Sequence, residues 1–160
     1  MTSLFGFFKW RKLIKQEIEL QQTAIGINST VGADSHIVML DYDEKDMDKV
    51  IESIIELQEF WNLSDAFIYQ TRNGHHVFFW YDQIPYERLK MIIDFARYVD
   101  VMYKYISRFY NHKTLRVVGK YKDRDIFYIE KIDGRRKATK DEKEIGELKR
   151  MEHSQYINKL

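Results

Sequence analysis

The chain has no cysteine, so disulfides and zinc–thiolate sites are excluded from the outset. It also lacks any apolar run long enough to span a bilayer. The most apolar early stretch, Leu4-Phe5-Gly6-Phe7-Phe8, is short and is interrupted downstream by Lys9, Arg11 and Lys12, which suits neither a signal peptide nor a membrane span. A cytoplasmic, or at least intracellular, protein with no membrane partner is therefore expected. Proline occurs once, at Pro85, where it marks the first turn of a helix. Net charge is nearly absent at +1, but this total conceals a segregation. Residues 41 to 65 carry nine acids against Lys45 and Lys49, whereas residues 103 to 124 carry seven bases against Asp123 alone.

What is present describes one globular domain. The 160 residues suffice for a single core, with 44% hydrophobic, 32% charged and 15% aromatic residues. Three parts are expected within it: an N-terminal basic amphipathic helix and lead-in over 1–35, a central unit over 36–132, and a charged C-terminal helix over 133–160. The C-terminal helix, Asp141 to Tyr156, is expected to pack through Ile145, Leu148 and Met151.

The central unit opens with an apolar strand, Ile37 to Leu40, which closes on Asp41-Tyr42-Asp43. Side chains alternate along a strand, so Asp41 and Asp43 emerge on one side. Adjacent carboxylates repel, and a divalent cation bound through oxygen relieves them; a solvated loop is the plain alternative. Mg²⁺ or Mn²⁺ suits such a pair because a hard ion needs few protein oxygens and completes its shell with water and substrate phosphate.

A helix from Asp46 to Trp61 follows, with Val50, Ile51, Ile54, Ile55 and Leu57 as its apolar face. Next comes a hairpin over Asp65 to Tyr81 about Asn73-Gly74, read as a type I′ turn. His76, Phe78 and Trp80 share one face of its second strand. A helix is then expected from Pro85 to about Tyr110, and a second hairpin over Leu115–Tyr121 and Ile126–Lys131. The order strand, helix, strand, strand, helix, strand, plus one added strand, predicts an α+β fold of ferredoxin-like, split βαβ type. Its helices would cover one sheet face and leave Asp41, Asp43 and His76 on the other.

The basic block comprises Lys104, Arg108, Lys113, Arg116, Lys120, Lys122 and Arg124, with Tyr103, Tyr105, Phe109, Tyr110 and Tyr121 between them. Bases interleaved with aromatics suit a nucleic-acid backbone and its bases; a solvated helix face with a charged hairpin is the alternative. Lys104, Arg108, Lys113, Lys122 and Arg124 are the candidate strand contacts.

Three stretches together resemble the archaeo-eukaryotic primase superfamily, which includes primase small subunits and primase-polymerases. Leu40-Asp41-Tyr42-Asp43 is similar to its Asp-x-Asp strand end. Thr71-x-x-Gly74-x-His76-Val77-Phe78-Phe79 is similar to its second motif, with Thr for the more usual Ser. Thr114-Leu115-Arg116-Val117-Val118-Gly119-Lys120 is similar to its Arg-x-Pro-Gly segment, with Val118 in place of proline. The likeness covers about residues 36 to 130 and implies a minimal palm resembling an RNA-recognition fold. It further implies a catalytic pair Asp41 and Asp43 holding Mg²⁺ or Mn²⁺, and a third acid ahead of the Arg-bearing strand. Asp100 is the nearest candidate for that acid, although it could equally sit within the second helix. Nucleotide contacts are implied for Thr71, Gly74, His76, Arg116 and Lys120.

The resemblance thus implies a metal-dependent nucleotidyltransferase that starts or extends a strand. Its partners would be a single-stranded template, nucleoside triphosphates and other replication proteins. A non-catalytic nucleic-acid-binding accessory protein is the alternative, since bases and aromatics suffice for it. A rolling-circle nickase is the third reading; it needs two histidines one residue apart, whereas His75 and His76 are adjacent.

Overall fold

The computed structural model describes residues 11–15, 25–118 and 126–157. Within them the fold is α+β, built on two antiparallel sheets. Residues 11–15 are helical. The strands are β1 (Ile25–Asn28), β2 (His36–Tyr42), β3 (Ala66–Gln70), β4 (His75–Ile84), β5 (Thr114–Val118) and β6 (Phe127–Ile132). The helices are α1 (Met47–Trp61), α2 (Tyr86–Phe95), α3 (Val101–Ile106) and α4 (Lys140–Ser154). The larger sheet runs β2-β4-β3-β6, and β1 and β5 form a separate two-stranded sheet. Among the described residues, no helix is long and apolar enough to cross a membrane.

The core strand behaves as its sequence dictates: Ile37 to Leu40 are fully buried. In β2, Tyr42 turns toward α1, where its hydroxyl lies 2.9 Å from Ser53 Oγ. Asp46 caps α1 by accepting from the Asp48 amide, and Asn62 ends it in the left-handed region at φ 53°. The buried side of α1 comprises Val50, Ser53, Ile54, Leu57 and Gln58, while Ile55 faces outward. Ser53 and Gln58 are drawn inward by hydrogen bonds: Ser53 to Tyr42 and the Arg97 carbonyl, Gln58 to the carbonyls of Ser64 and Ile132.

Among the described residues the second hairpin does not form. Strand β5 pairs with β1 and β6 pairs with β3. With β4 paired on its other side, β3 would otherwise leave a row of backbone donors and acceptors open, and β6 occupies that edge. The expected turn between the two strands lies outside the described residues.

The long second helix also divides. Ala96 turns extended, Tyr98 takes φ 63°, and Val99 bridges to Tyr42 before Asp100 starts α3 as its N-cap. The chain leaves the helix there because β2 offers a backbone partner: the Asp100 amide donates to the Asp41 carbonyl at 2.8 Å.

Nor is the turn at Asn73-Gly74 of type I′. Among the described residues, positive φ occurs at Gly32, Asn62 and Tyr98 and not at this turn. A four-residue loop closes it instead, with Thr71 N donating to the Gly74 carbonyl at 2.9 Å and Gly74 N donating to Thr71 Oγ1 at 3.1 Å. Glycine is required for close approach rather than for φ, because a Cβ on Gly74 would strike the Tyr42 carbonyl oxygen.

The face expected to be open is covered. Cross-strand pairing puts Asp41 with His76, Met39 with Phe78, and Tyr69 with His76, all on the side opposite Tyr42 and α1. Helix α4 lies there, with His153 against Tyr69, Phe78 and Trp80. It packs through Gly146 and His153, while Ile145, Leu148 and Met151 stay 43%, 69% and 62% exposed. The orientation follows from polar anchors. Arg136 bridges Asp82 and Glu142, and a Cβ at position 146 would collide with the Trp80 backbone.

Candidate functional site

Gly74 and His75 bring the two motif halves together. Gly74 packs on the Tyr42 carbonyl, and His75 Nδ1 donates to the Glu44 carbonyl at 2.8 Å. The Thr71 to Gly74 turn is thereby fixed beside the acidic end of β2. Thr71 is half-buried and its hydroxyl is engaged within the turn.

At that end Asp41 and His76 sit opposite each other, with Nε2 and Oδ1 3.6 Å apart. Asp41 keeps 38% of its side-chain surface, yet burial is the main reason its pKa is raised to about 7. Asp100 and Asp43 push in the same direction, and Arg116 and Lys113 oppose them. Asp43 is exposed and Asp100 half-buried, so three carboxylates act on one neighbourhood. The Asp100 carboxylate is also committed to capping α3, accepting from Tyr103 N at 2.6 Å.

His76 is buried, and its pKa is lowered to about 3 by burial, then by His153, Arg116 and His75. It is a neutral imidazole, and its Nδ1 has no hydrogen-bond partner. Its reach is toward Asp41 rather than outward to a bound phosphate.

The bases divide into inward and outward groups. Lys113 is buried, donating from Nζ to the Tyr103 carbonyl at 2.5 Å with its ammonium 3.6 Å from the Tyr103 ring centroid. Burial lowers its pKa to about 8, with Asp41 and Asp100 acting against that fall. Lys104 donates to the Ala96 and Asp94 carbonyls and so satisfies the end of α2. Both ammonium groups therefore act within the fold and not on a passing strand. Arg116 and Arg108 are exposed. Lys120, Lys122 and Arg124 lie outside the described residues.

Sequence reasoning missed two features. One is Asp82, buried in β4, which accepts from Ser64 N and Oγ at 2.9 and 2.6 Å and from Arg136 at 2.7 Å. The other is His153, whose only sequence signal was a histidine seven residues after Gly146, on the same helix face.

Asp41 and Asp43 are the residues that could hold a hard cation with few protein ligands. Among the described residues no group of three or more His, Asp or Glu side chains is arranged to enclose a metal ion. Two carboxylates are nevertheless enough for Mg²⁺, and the strain on Asp41 as an anion is the kind a cation relieves. Comparison of the chain with family models, curated proteins and solved structures returned no match.

Proposed function

We propose that the protein is a metal-dependent nucleotidyltransferase of primase or primase-polymerase type, working on a single-stranded template with nucleoside triphosphates. The observation that carries this reading is the electrostatic coupling of Asp41 to Asp43, Asp100 and the exposed Arg116 at the end of β2. Acids beside bases suit a cation and a polyphosphate bound together. Asp41 and Asp43 are the residues that would hold Mg²⁺ or Mn²⁺, which when bound supplies Lewis-acid stabilisation of phosphoryl oxygens. Arg116, exposed on β5, would pair with phosphate oxygens, and Lys120 would extend that contact. Asp100 adds negative charge while fixing the start of α3. His76, with Nε2 3.6 Å from Asp41 Oδ1, would help to orient that carboxylate.

In this reading the four-stranded sheet would serve as a ferredoxin-like, RNA-recognition-like palm, with β5 packed against β2 from the separate two-stranded sheet. Strand β5 contacts β2 while hydrogen-bonding to β1. Intracellular replication proteins are the expected partners. A second reading is a non-catalytic nucleic-acid-binding accessory protein, which the exposed Arg108 and Arg116 would serve.

The deciding experiment is incubation with single-stranded DNA, labelled nucleotides and Mg²⁺ or Mn²⁺, with and without primer. Labelled product that vanishes in Asp41→Asn and Asp43→Asn, with folding intact, supports nucleotidyl transfer. Salt-sensitive strand binding without incorporation on any template supports the accessory reading instead.

A further inference from the structure

Helix α4 is amphipathic in reverse: it turns Gly146 and His153 to the sheet and Ile145, Leu148 and Met151 to solvent. Its two ends are held by different means. At the N-terminal end Thr139 and Glu142 form a capping box, Arg136 ties Glu142 to Asp82, and Gln83 Nε2 donates to the Glu142 carbonyl at 2.9 Å. Toward the C-terminal end the seat is His153, fully enclosed, with ring centroids 4.6, 4.7 and 5.4 Å from Tyr69, Phe78 and Trp80. Neither nitrogen of that ring has a hydrogen-bond partner. An unmade buried hydrogen bond is destabilising, so this end is seated at a penalty that the hydrogen-bonded end does not carry.

We propose that α4 is a hinged cover: anchored where Arg136 meets Glu142, it lifts its C-terminal half from β3 and β4 when His153 takes up a proton. Among the described residues, the groups facing His153 offer the resulting imidazolium no counter-charge. From α4 itself there is Arg150, whose guanidinium lies 4.6 Å from the Phe67 ring centroid and 5.8 Å from that of Tyr128. From β4 there is His76, which is electrostatically coupled to His153. From β3 there is Tyr69, whose ring also meets Tyr128 of β6. Burial, and then the charge of Arg150, lower the His153 pKa to about 4 in the closed form, against 6.5 for a free imidazole. The lifted form regains the ordinary value. Opening should then rise up to about tenfold for each pH unit between those two values.

Lifting bares Tyr69 together with Phe78 and Trp80, whose rings are stacked 4.2 Å apart and 3° from parallel. This aromatic surface adjoins His76, which pairs across the strands with Asp41. The cover therefore closes the sheet face beside His76, and the inference rests on the proposed function only for what would bind there.

Hydrogen–deuterium exchange of the full chain near pH 7.5 and near pH 5, corrected for intrinsic rates, tests it. The expected result is at least about tenfold faster exchange in the C-terminal half of α4 at the lower pH, while α1 and β2 keep their protection. His153→Phe fills the aromatic cage without a titrating group and should abolish the response. His153→Leu serves the same purpose if phenylalanine overfills the space. The proposal is overturned if wild-type α4 exchanges equally at both pH values, if the whole domain loses protection together, or if a folded His153 variant keeps the response. No nucleotide enters the measurement, so its outcome is separate from that of the incorporation assay.

Discussion

Asp41 and His76 occupy directly opposed positions on β2 and β4, with Oδ1 and Nε2 3.6 Å apart. The same environment raises the pKa of the acid to about 7 and lowers that of the imidazole to about 3, so below neutrality both are uncharged. The pair therefore stores a preference for a proton or a cation at Asp41.

A carboxylate whose folded pKa lies above its unfolded value of 3.8 stabilises the fold at low pH and loses that contribution as pH rises toward 7. Asp41→Asn lacks this loss. Its melting temperature should therefore gain on that of the wild type as pH is raised from about 4 to about 8. A cation bound at Asp41 restores the wild type, so added Mn²⁺ should raise the wild-type melting temperature more near pH 8 than near pH 5 and should leave Asp41→Asn unmoved. Thermal melts across pH, with and without Mn²⁺, make both comparisons. Equal pH profiles for the two chains would show that Asp41 titrates normally.

Arg116→Ala removes an exposed guanidinium without emptying any core position. Folding should be unaffected, while affinity for nucleoside triphosphate falls by about tenfold to a hundredfold, the worth of a charged hydrogen bond. Titration of a fluorescent triphosphate reads this directly, and unchanged affinity would remove Arg116 from the site.

Gly74→Ala drives a methyl group into the Tyr42 carbonyl, a backbone atom that cannot rotate away. Destabilisation of about 1–3 kcal/mol is expected from overpacking, measured by urea unfolding. Because this contact holds the Thr71 to Gly74 turn against β2, metal and nucleotide binding should weaken as well, even where the chain remains folded.

Arg136→Ala leaves Asp82 buried with its ion pair lost. Breaking a buried pair costs about 3–5 kcal/mol, the larger part as an uncompensated charge. Burial already raises the Asp82 pKa, and removing Arg136 raises it further, so the variant should be weakest at high pH and partly recover as the carboxyl protonates. Adding Asp82→Asn should restore much of the loss at pH 8 and little of it near pH 4. Denaturant unfolding of the single and double variants at both pH values checks the pattern.

The sequence alone determined the elements whose cause is local. Alternation and apolar content placed the core of β2 and set Asp41 apart from Tyr42, while acids in the first turn and i, i+4 spacing placed α1. The hairpin of β3 and β4 and the shared face of His76, Phe78 and Trp80 follow from the same periodicity. Tertiary structure decided whatever depended on partners distant in the chain. Strand β5 took β1 and β6 took the edge of β3, because backbone groups pair with whichever edge is open and nothing in a strand's own residues names its neighbour. Lys104 and Lys113 counted in the sequence as surface charge, yet each found carbonyls inside the fold. The face of α4 was decided the same way: its apolar residues predicted one contact surface. The Arg136 bridge to Asp82 and the close approach of Gly146 to Trp80 outweighed them and brought His153 down beside His76. An ion pair buried between positions 54 residues apart is invisible to periodicity, and it set the orientation of the helix that covers the sheet face beside His76.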